Sequence, residues 1–276
     1  MLEGTSRRGF MMTTLMTGFT LAVTRAEAEP IHTDSAGLVA GEVRIPVADG
    51  HLPGYAARPA GPGPFPTILV IEEIFGVHEY IKDVCRRLAK RGYLAVAPEL
   101  YARLADLSAM TDVQDIITKV ILKAPDATLL ADLDSTAAWA VTDHGDPARL
   151  GVLGFCRGGR DTWLYAEHNP RLKAAVAFYG PVAGPRSDIQ PKTPLDQAQL
   201  LKCPLLGLYG GQDTSISQKD VQGAAAIARA MGKRVEIKLF PDAGHGFHAD
   251  YRPSYNPKDA QAAWAMALDW FKTNGM

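Results

Sequence analysis

The sequence predicts an α/β fold: a mostly parallel sheet with helices on both faces. Two observations carry that expectation. Uninterrupted apolar runs such as "TILVI", "YLAVA", "KAAVAFYG" and "PLLGLYG" read as strands buried on both sides. Between them lie segments with apolar residues three and four apart, the spacing of amphipathic helices. Strand and helix alternate along the chain, which is the signature of right-handed βαβ units.

The elements follow in order. "GEVRIPV" and "LPGYAARP" alternate apolar and polar residues and read as a β-hairpin turning at "ADGH". "TILVIEEIFG" is a buried strand ending in two acids. "EYIKDVCRRLAKRG" is a helix closed by Gly92, and "YLAVAPELY" a further buried strand. "DVQDIITKVILK" and "ATLLADLDSTAAWAVTD" have helical spacing. "RLGVLGF" is a strand, a helix starts at Arg157, and "KAAVAFYG" and "PLLGLYGGQD" are strands. "SQKDVQGAAAIARAMG" is a helix, "RVEIKLFPDAGHGF" a strand and loop, and "PKDAQAAWAMALDWFKTN" the last helix. "RPAGPGPFP" reads as a loop between strands, not a domain linker.

The chain has 276 residues, 47% of them hydrophobic, enough for one sizeable core. Its formal charge of -1 and the absence of basic runs argue against nucleic acid as a partner. Three cysteines, Cys85, Cys156 and Cys203, form no CxxC pair and no zinc-spaced cluster. An odd count leaves at least one thiol outside any intrachain pairing. No metal or organic cofactor is expected.

Residues 1–28 read as an export signal. Arg7 and Arg8 precede the short apolar run "MMTTLMTGFTLAVT", and an A-x-A site follows at Ala26–Ala28. The run is short for a spanning helix, which needs about 20 residues. The paired arginines with Phe10 resemble the twin-arginine signal. The expectation is therefore a periplasmic protein with its folded domain in residues 29–276. The twin-arginine translocase would be its partner during export, with no stable membrane insertion after cleavage.

In parallel sheets, ligands sit beyond the carboxyl ends of the strands, so the loops there carry the chemistry. Gly154-Phe155-Cys156-Arg157-Gly158 fits the nucleophile elbow G-x-S-x-G with cysteine for serine. The competing reading is a buried structural cysteine. Asp213 follows in "GGQD" and His245 in "DAGHGFH", giving the chain order nucleophile, acid, histidine of the α/β-hydrolases. His245 would take the thiol proton and Asp213 would fix its tautomer. Asp220 and Asp242 are weaker alternatives for the acid. His248 is the alternative histidine, disfavoured because Gly244 and Gly246 flank His245.

Taken together, "EEIFGV", "APELYAR", "GFCRGG", "GGQD" and "DAGHGFH" resemble the dienelactone hydrolase (carboxymethylenebutenolidase) family of the α/β-hydrolase superfamily. The resemblance covers nearly everything after the signal. It implies a Cys156–His245–Asp213 triad that hydrolyses a small lactone or ester through an acyl-thioester. A carboxylesterase acting on a different small ester is the alternative. It also implies that Glu73 partners the thiol and that the N–H groups of Ile74 and Arg157 form the oxyanion hole. Family substrates carry a carboxylate held by arginines, and Arg103 of "LYAR" matches one of them. Tyr101 and Phe75 would line the pocket. The second arginine's position holds Ala249, a departure that bears on the substrate; Arg252 lies three residues further on.

Overall fold

A computed structural model describes residues 30–276; the expected signal, residues 1–28, lies outside them. Eight strands form one sheet: β1 (Leu38–Val47), β2 (Gly50–Pro59), β3 (Phe65–Ile71), β4 (Leu94–Pro98), β5 (Gly145–Phe155), β6 (Leu172–Phe178), β7 (Leu205–Gly210) and β8 (Val235–Phe240). Their order across the sheet is β1-β2-β4-β3-β5-β6-β7-β8. β1 and β2 pair antiparallel, and β2 runs antiparallel to β4; every other pairing is parallel. The opening hairpin thus extends one edge of a parallel sheet.

Every residue of β4 and of β7 is buried. Successive strand residues point to opposite faces, so both faces of the sheet are covered there. The edge strands β1 and β8 keep exposed residues between half-buried and buried ones. Five principal helices pack against the sheet: α1 (Glu79–Ala89), α2 (Asp126–Thr142), α3 (Arg157–His168), α4 (Gln218–Ala230) and α5 (Pro257–Thr273). Ser217 caps α4 by accepting from the Asp220 N–H, and Asn256 caps α5 by accepting from the Asp259 N–H. Each such cap contributes about 1 kcal/mol.

The expected helix over "DVQDIITKVILK" runs without a gap from 113 to 123 but changes type, from α at Val113–Asp115 to π at Ile116–Val120 and 3-10 at Ile121–Lys123. Pro125 follows, and the residue before a proline is pushed out of helical geometry; Ala124 accordingly has ψ 118°. Among the described residues, no helix is long and apolar enough to cross a membrane.

Candidate active site

β5 runs straight into α3, and Cys156 stands at the junction with φ 54° and ψ -117°. A side chain other than glycine's held at positive φ costs about 1–3 kcal/mol, so the surroundings must enforce it. Three glycines let them do so. A Cβ on Gly154 would lie 2.2 Å from Gly158 O, one on Gly158 would lie 2.3 Å from Glu72 O, and one on Gly159 2.5 Å from Phe178 O. Only bare backbone lets α3 seat its first turn against β3 and β6. The Cys156 carbonyl accepts from the Gly159 and Arg160 N–H groups, and the Cys156 N–H donates to Phe178 O at 3.0 Å. The Arg157 N–H is one of the helix-start donors with no intrahelical acceptor. The same Gly158 contact brings the start of α3 against the end of β3, next to Ile74. Both donors expected for an oxyanion hole therefore belong to neighbouring backbone segments.

Asp213 and His245 come from the loops after β7 and β8. Close backbone packing joins those loops. A Cβ on Gly210 would meet Ala243 O at 2.5 Å, and the Gln212 N–H donates to Ala243 O at 2.8 Å. His245 Nδ1 lies 2.7 Å from Asp213 Oδ2. Asp213 Oδ1 accepts from the Ser215 N–H at 2.9 Å and from Ser215 Oγ at 2.6 Å. With Nδ1 committed to Asp213, Nε2 is the nitrogen left for the Cys156 sulfur. Burial alone would lower the pKa of His245; the charge of Cys156 and the hydrogen bonds to Asp213 and Cys156 push it up to about 10. Burial likewise works against the Asp213 carboxylate, but His245 and Ser215 hold its pKa below the usual value. The structure thus brings Cys156, His245 and Asp213 together. It places Asp220 in the first turn of α4 and leaves Asp242 exposed. His248 is elsewhere too, with Nδ1 2.7 Å from Tyr80 Oη, and burial drives its pKa down to about 3.

Both acids just after β3 are fully buried. Glu72 Oε1 accepts from the Leu100 N–H at 2.8 Å. Glu73 is held by Tyr251 Oη at 2.5 Å and by Arg252 Nη2 at 3.1 Å, with His78 Nε2 3.8 Å away. Burial would raise the pKa of Glu73, yet the Arg252 guanidinium, then His78 and Tyr251, hold it down at about 2. Glu73, expected to partner the thiol, takes its hydrogen bonds from this clamp instead. Arg252 has no exposed surface and stacks over Phe75, 5.1 Å from the ring centroid. Its Nη1 is buried without a hydrogen-bond partner.

Two residues expected to contact substrate have other partners in the fold. Arg103 binds Asp49 through Nε at 2.7 Å and Nη2 at 2.6 Å, and Asp132 through Nη1 at 2.5 Å and Nη2 at 3.0 Å. Its charge ties the β1–β2 turn to α2 and is not free for a carboxylate. Tyr101 is 1% exposed and donates to Asp161 at 3.2 Å, as part of the buried polar layer beside α3. Phe75 is half-buried beneath Arg252.

Sequence reasoning missed Tyr251, Ser215 and Tyr179. Ser215 had a signal, since an aspartate commonly accepts from the residue two positions on. Tyr179 follows β6 at φ 37° with its ring 5.2 Å from His245, and nothing in "AVAFYGP" marks that geometry. Cys85 and Cys203 are buried free thiols, and burial pushes Cys203 up to about 12 and Cys85 higher. His32, Glu79 and Asp83 approach one another closely enough to hold a metal, but Arg86 and Arg87 already pair with these acids.

Comparison with known proteins places this geometry. The sequence profile of the dienelactone hydrolase family matches residues 52–275. A protein of Methylorubrum extorquens named "Putative carboxymethylenebutenolidase" is 54% identical over 273 residues, covering 98% of this chain and 94% of that protein. An Escherichia coli K12 protein of the same name is 48% identical over 266 residues, covering 96% of this chain and 98% of its own length. A crystal structure titled as a putative dienelactone hydrolase from Klebsiella pneumoniae superposes with a TM-score of 0.83 at 49% identity. It spans 85% of this chain and 98% of that one.

Proposed function

The chain belongs to the dienelactone hydrolase family, and from that premise we propose that it is an ester hydrolase opening a small lactone or ester through Cys156. The thiolate sulfur attacks the carbonyl carbon, and the N–H groups of Ile74 and Arg157 receive the developing oxyanion. Collapse breaks the ester C–O bond, and His245 delivers its proton to the leaving alkoxide. The acyl group stays on sulfur as a thioester. Water then attacks that thioester, His245 takes its proton, and the acid leaves with the thiol restored. Asp213 holds the imidazole so that Nε2 faces the sulfur throughout. The observation that carries this reading is the left-handed Cys156 at the strand–helix junction, beside a His245 held 2.7 Å from Asp213.

Glu73 and Arg252 form the charged wall of the site. A substrate carboxylate reaching the spare Nη1 of Arg252 would draw the guanidinium from Glu73 and leave that carboxylate ready to influence the thiol. Arg252 would then stand in for the arginine absent at Ala249. With Arg103 committed to Asp49 and Asp132, the site offers one cation where family substrates meet two. That favours, as the second reading, a carboxylesterase acting on neutral small esters.

The test is direct. Purified protein mixed with a chromogenic aryl ester gives a burst equal to the enzyme concentration, and mass spectrometry finds the acyl group on Cys156. Cys156→Ala abolishes both, whereas Cys85→Ser and Cys203→Ser keep them. Full turnover by Cys156→Ala would end the nucleophile assignment. A panel of carboxylate-bearing lactones and neutral short esters separates the two substrate readings.

Export by the twin-arginine route is part of the same proposal and rests on Arg7 and Arg8. Replacing both with lysine should strand the protein in the cytoplasm. Normal levels in periplasmic extracts would refute that route.

A further inference from the structure

The segment before β1 looks dispensable by composition: "PIHTDS" is polar, and Ile31 is 47% exposed. Its backbone is engaged nonetheless. The Thr33 N–H donates to Asp83 Oδ1 at 2.5 Å, and Thr33 Oγ1 lies 3.3 Å from Asp83 Oδ2. Thr33 O accepts from Arg86 Nε at 2.8 Å. Asp83, on α1, is 1% exposed and also accepts from Arg87 Nε at 2.5 Å and from Arg86 Nη2 at 3.0 Å, so Thr33 supplies two of its four donors. Arg87 Nη2 reaches across to Asp250 Oδ2 at 2.5 Å. Asp250 is 2% exposed, and its Oδ1 is buried without a hydrogen-bond partner, so Arg87 is the chief compensation for its burial. The next two residues are Tyr251 and Arg252, which clamp Glu73.

We infer that Ile31–Thr33 is a positioning strap, which acts through Asp83 and the Arg87–Asp250 ion pair to hold Tyr251 and Arg252 on Glu73. The physical reason lies in the donor count at Asp83. A buried carboxylate that loses donors is costly, because its charge stays desolvated without compensation. Without the strap, Asp83 loses the Thr33 N–H and hydroxyl. It then competes more strongly for Arg87, the same guanidinium that Asp250 needs. An Asp250 short of its partner releases the loop after His248, and Arg252 leaves Glu73. Arg252 and Cys156 interact electrostatically, so that departure also removes positive charge from the surroundings of the sulfur. Tyr80 Oη, bonded to His248 Nδ1 at 2.7 Å, would keep the rest of the loop docked on α1. The expected loss is therefore in catalysis more than in folding.

The inference rests on the Cys156 reading, and the experiment separates the two. Asp250→Asn, Thr33→Pro and Arg87→Lys are made in the full chain and compared with the native protein. The readouts are kcat and KM on 4-nitrophenyl acetate, the rate of Cys156 alkylation by iodoacetamide followed by mass spectrometry, and thermal melting. Small displacements of catalytic groups cost up to about a hundredfold. Asp250→Asn and Thr33→Pro should lower kcat by roughly ten- to hundredfold, with less effect on KM, and slow alkylation in parallel. Arg87→Lys, which keeps the charge, should retain most of both. If folded Asp250→Asn matches the native protein in kcat and alkylation rate, the strap is structural only and the inference fails, whatever happens to Tm. Should Thr33→Pro not fold, Asp250→Asn decides alone. If the native protein itself shows no ester turnover and no selective alkylation of Cys156, it is the nucleophile reading that fails.

Discussion

Arg252 Nη2 lies 3.1 Å from Glu73 Oε1, and neither side chain has any exposed surface. Breaking a buried ion pair by removing one partner costs about 3–5 kcal/mol, because the other charge stays buried alone. Arg252→Met should therefore lower Tm by roughly 10 °C, at about 2–4 °C per kcal/mol for a chain of this size. Acid titration adds a signed prediction. The folded pKa of Glu73, about 2, is below its ordinary 4.5. Its contribution to stability is full above pH 4.5 and is lost as pH falls toward 2. Glu73→Gln/Arg252→Met, which removes both charges, should recover part of the loss and flatten that acid slope. Urea melts between pH 2 and 6 would check both. An unchanged slope in the double variant would mean other carboxylates govern acid unfolding.

Glu72 gives the opposite sign. Burial first, then the neighbouring Glu99, raises its pKa well above the usual carboxylate range. The fold keeps a proton that the unfolded chain gives up above about pH 4.5. Stability is therefore lost as pH rises from there toward the folded value. Glu72→Gln, neutral at every pH, should melt higher than the native protein at pH 8 and about equally at pH 4. Calorimetry at both values decides the matter, and an equal difference at both would show that Glu72 is charged in the fold.

Gly158→Ala probes the elbow. The added Cβ would stand 2.3 Å from Glu72 O and 2.4 Å from Ile71 O, both backbone atoms that cannot swing away. Overpacking of this kind costs about 1–3 kcal/mol, and a backbone clash falls at the upper end. Tm should drop by roughly 5–10 °C. Activity should fall as well, because α3 and the Ile74 segment are pushed apart. Native kcat in a destabilised Gly158→Ala would show that the two N–H groups do not act together.

What was legible in the sequence is what obeys local rules. The apolar runs of β3, β4, β6 and β7 announced themselves because strands buried on both faces need no alternation. Cys156, Asp213 and His245 were readable as loop residues after strands, and the Cys156 elbow was marked by glycines at fixed offsets. The run at Val113–Lys123 was legible as helical, but its change from α to π to 3-10 geometry had no signal in the apolar spacing. Long-range pairing carried no such signal. Arg103 sits in the expected motif, but Asp49 and Asp132, 54 and 29 residues away, determine its role. Likewise Tyr251 and Arg252 lie in an aperiodic loop, and only the fold shows that they meet Glu73, 178 and 179 residues earlier.

The arginines separate the substrate readings. Arg103 spends its donors on Asp49 and on Asp132, which is 3% exposed. The Arg103 side chain itself is 28% exposed, so solvent weakens these pairs to about 1 kcal/mol or less each. Arg103→Ala should lower Tm by a few degrees. It should leave KM nearly unchanged for neutral esters and for carboxylate-bearing lactones alike. Arg252 behaves differently, because its Nη1 has no hydrogen-bond partner and is the donor proposed for a substrate carboxylate. One charge-assisted hydrogen bond to a carboxylate is worth about 1.5–3 kcal/mol. Arg252→Lys should therefore raise KM for anionic lactones by roughly ten- to hundredfold and shift neutral esters far less. Steady-state kinetics on a matched pair of substrates, one with and one without the carboxylate, measures both effects. A large, anion-specific rise in KM for Arg103→Ala would mean that Arg103 leaves Asp49 and Asp132 to hold the substrate. The two carboxylates would then be its resting partners, and the family's own arginine would be restored to its role.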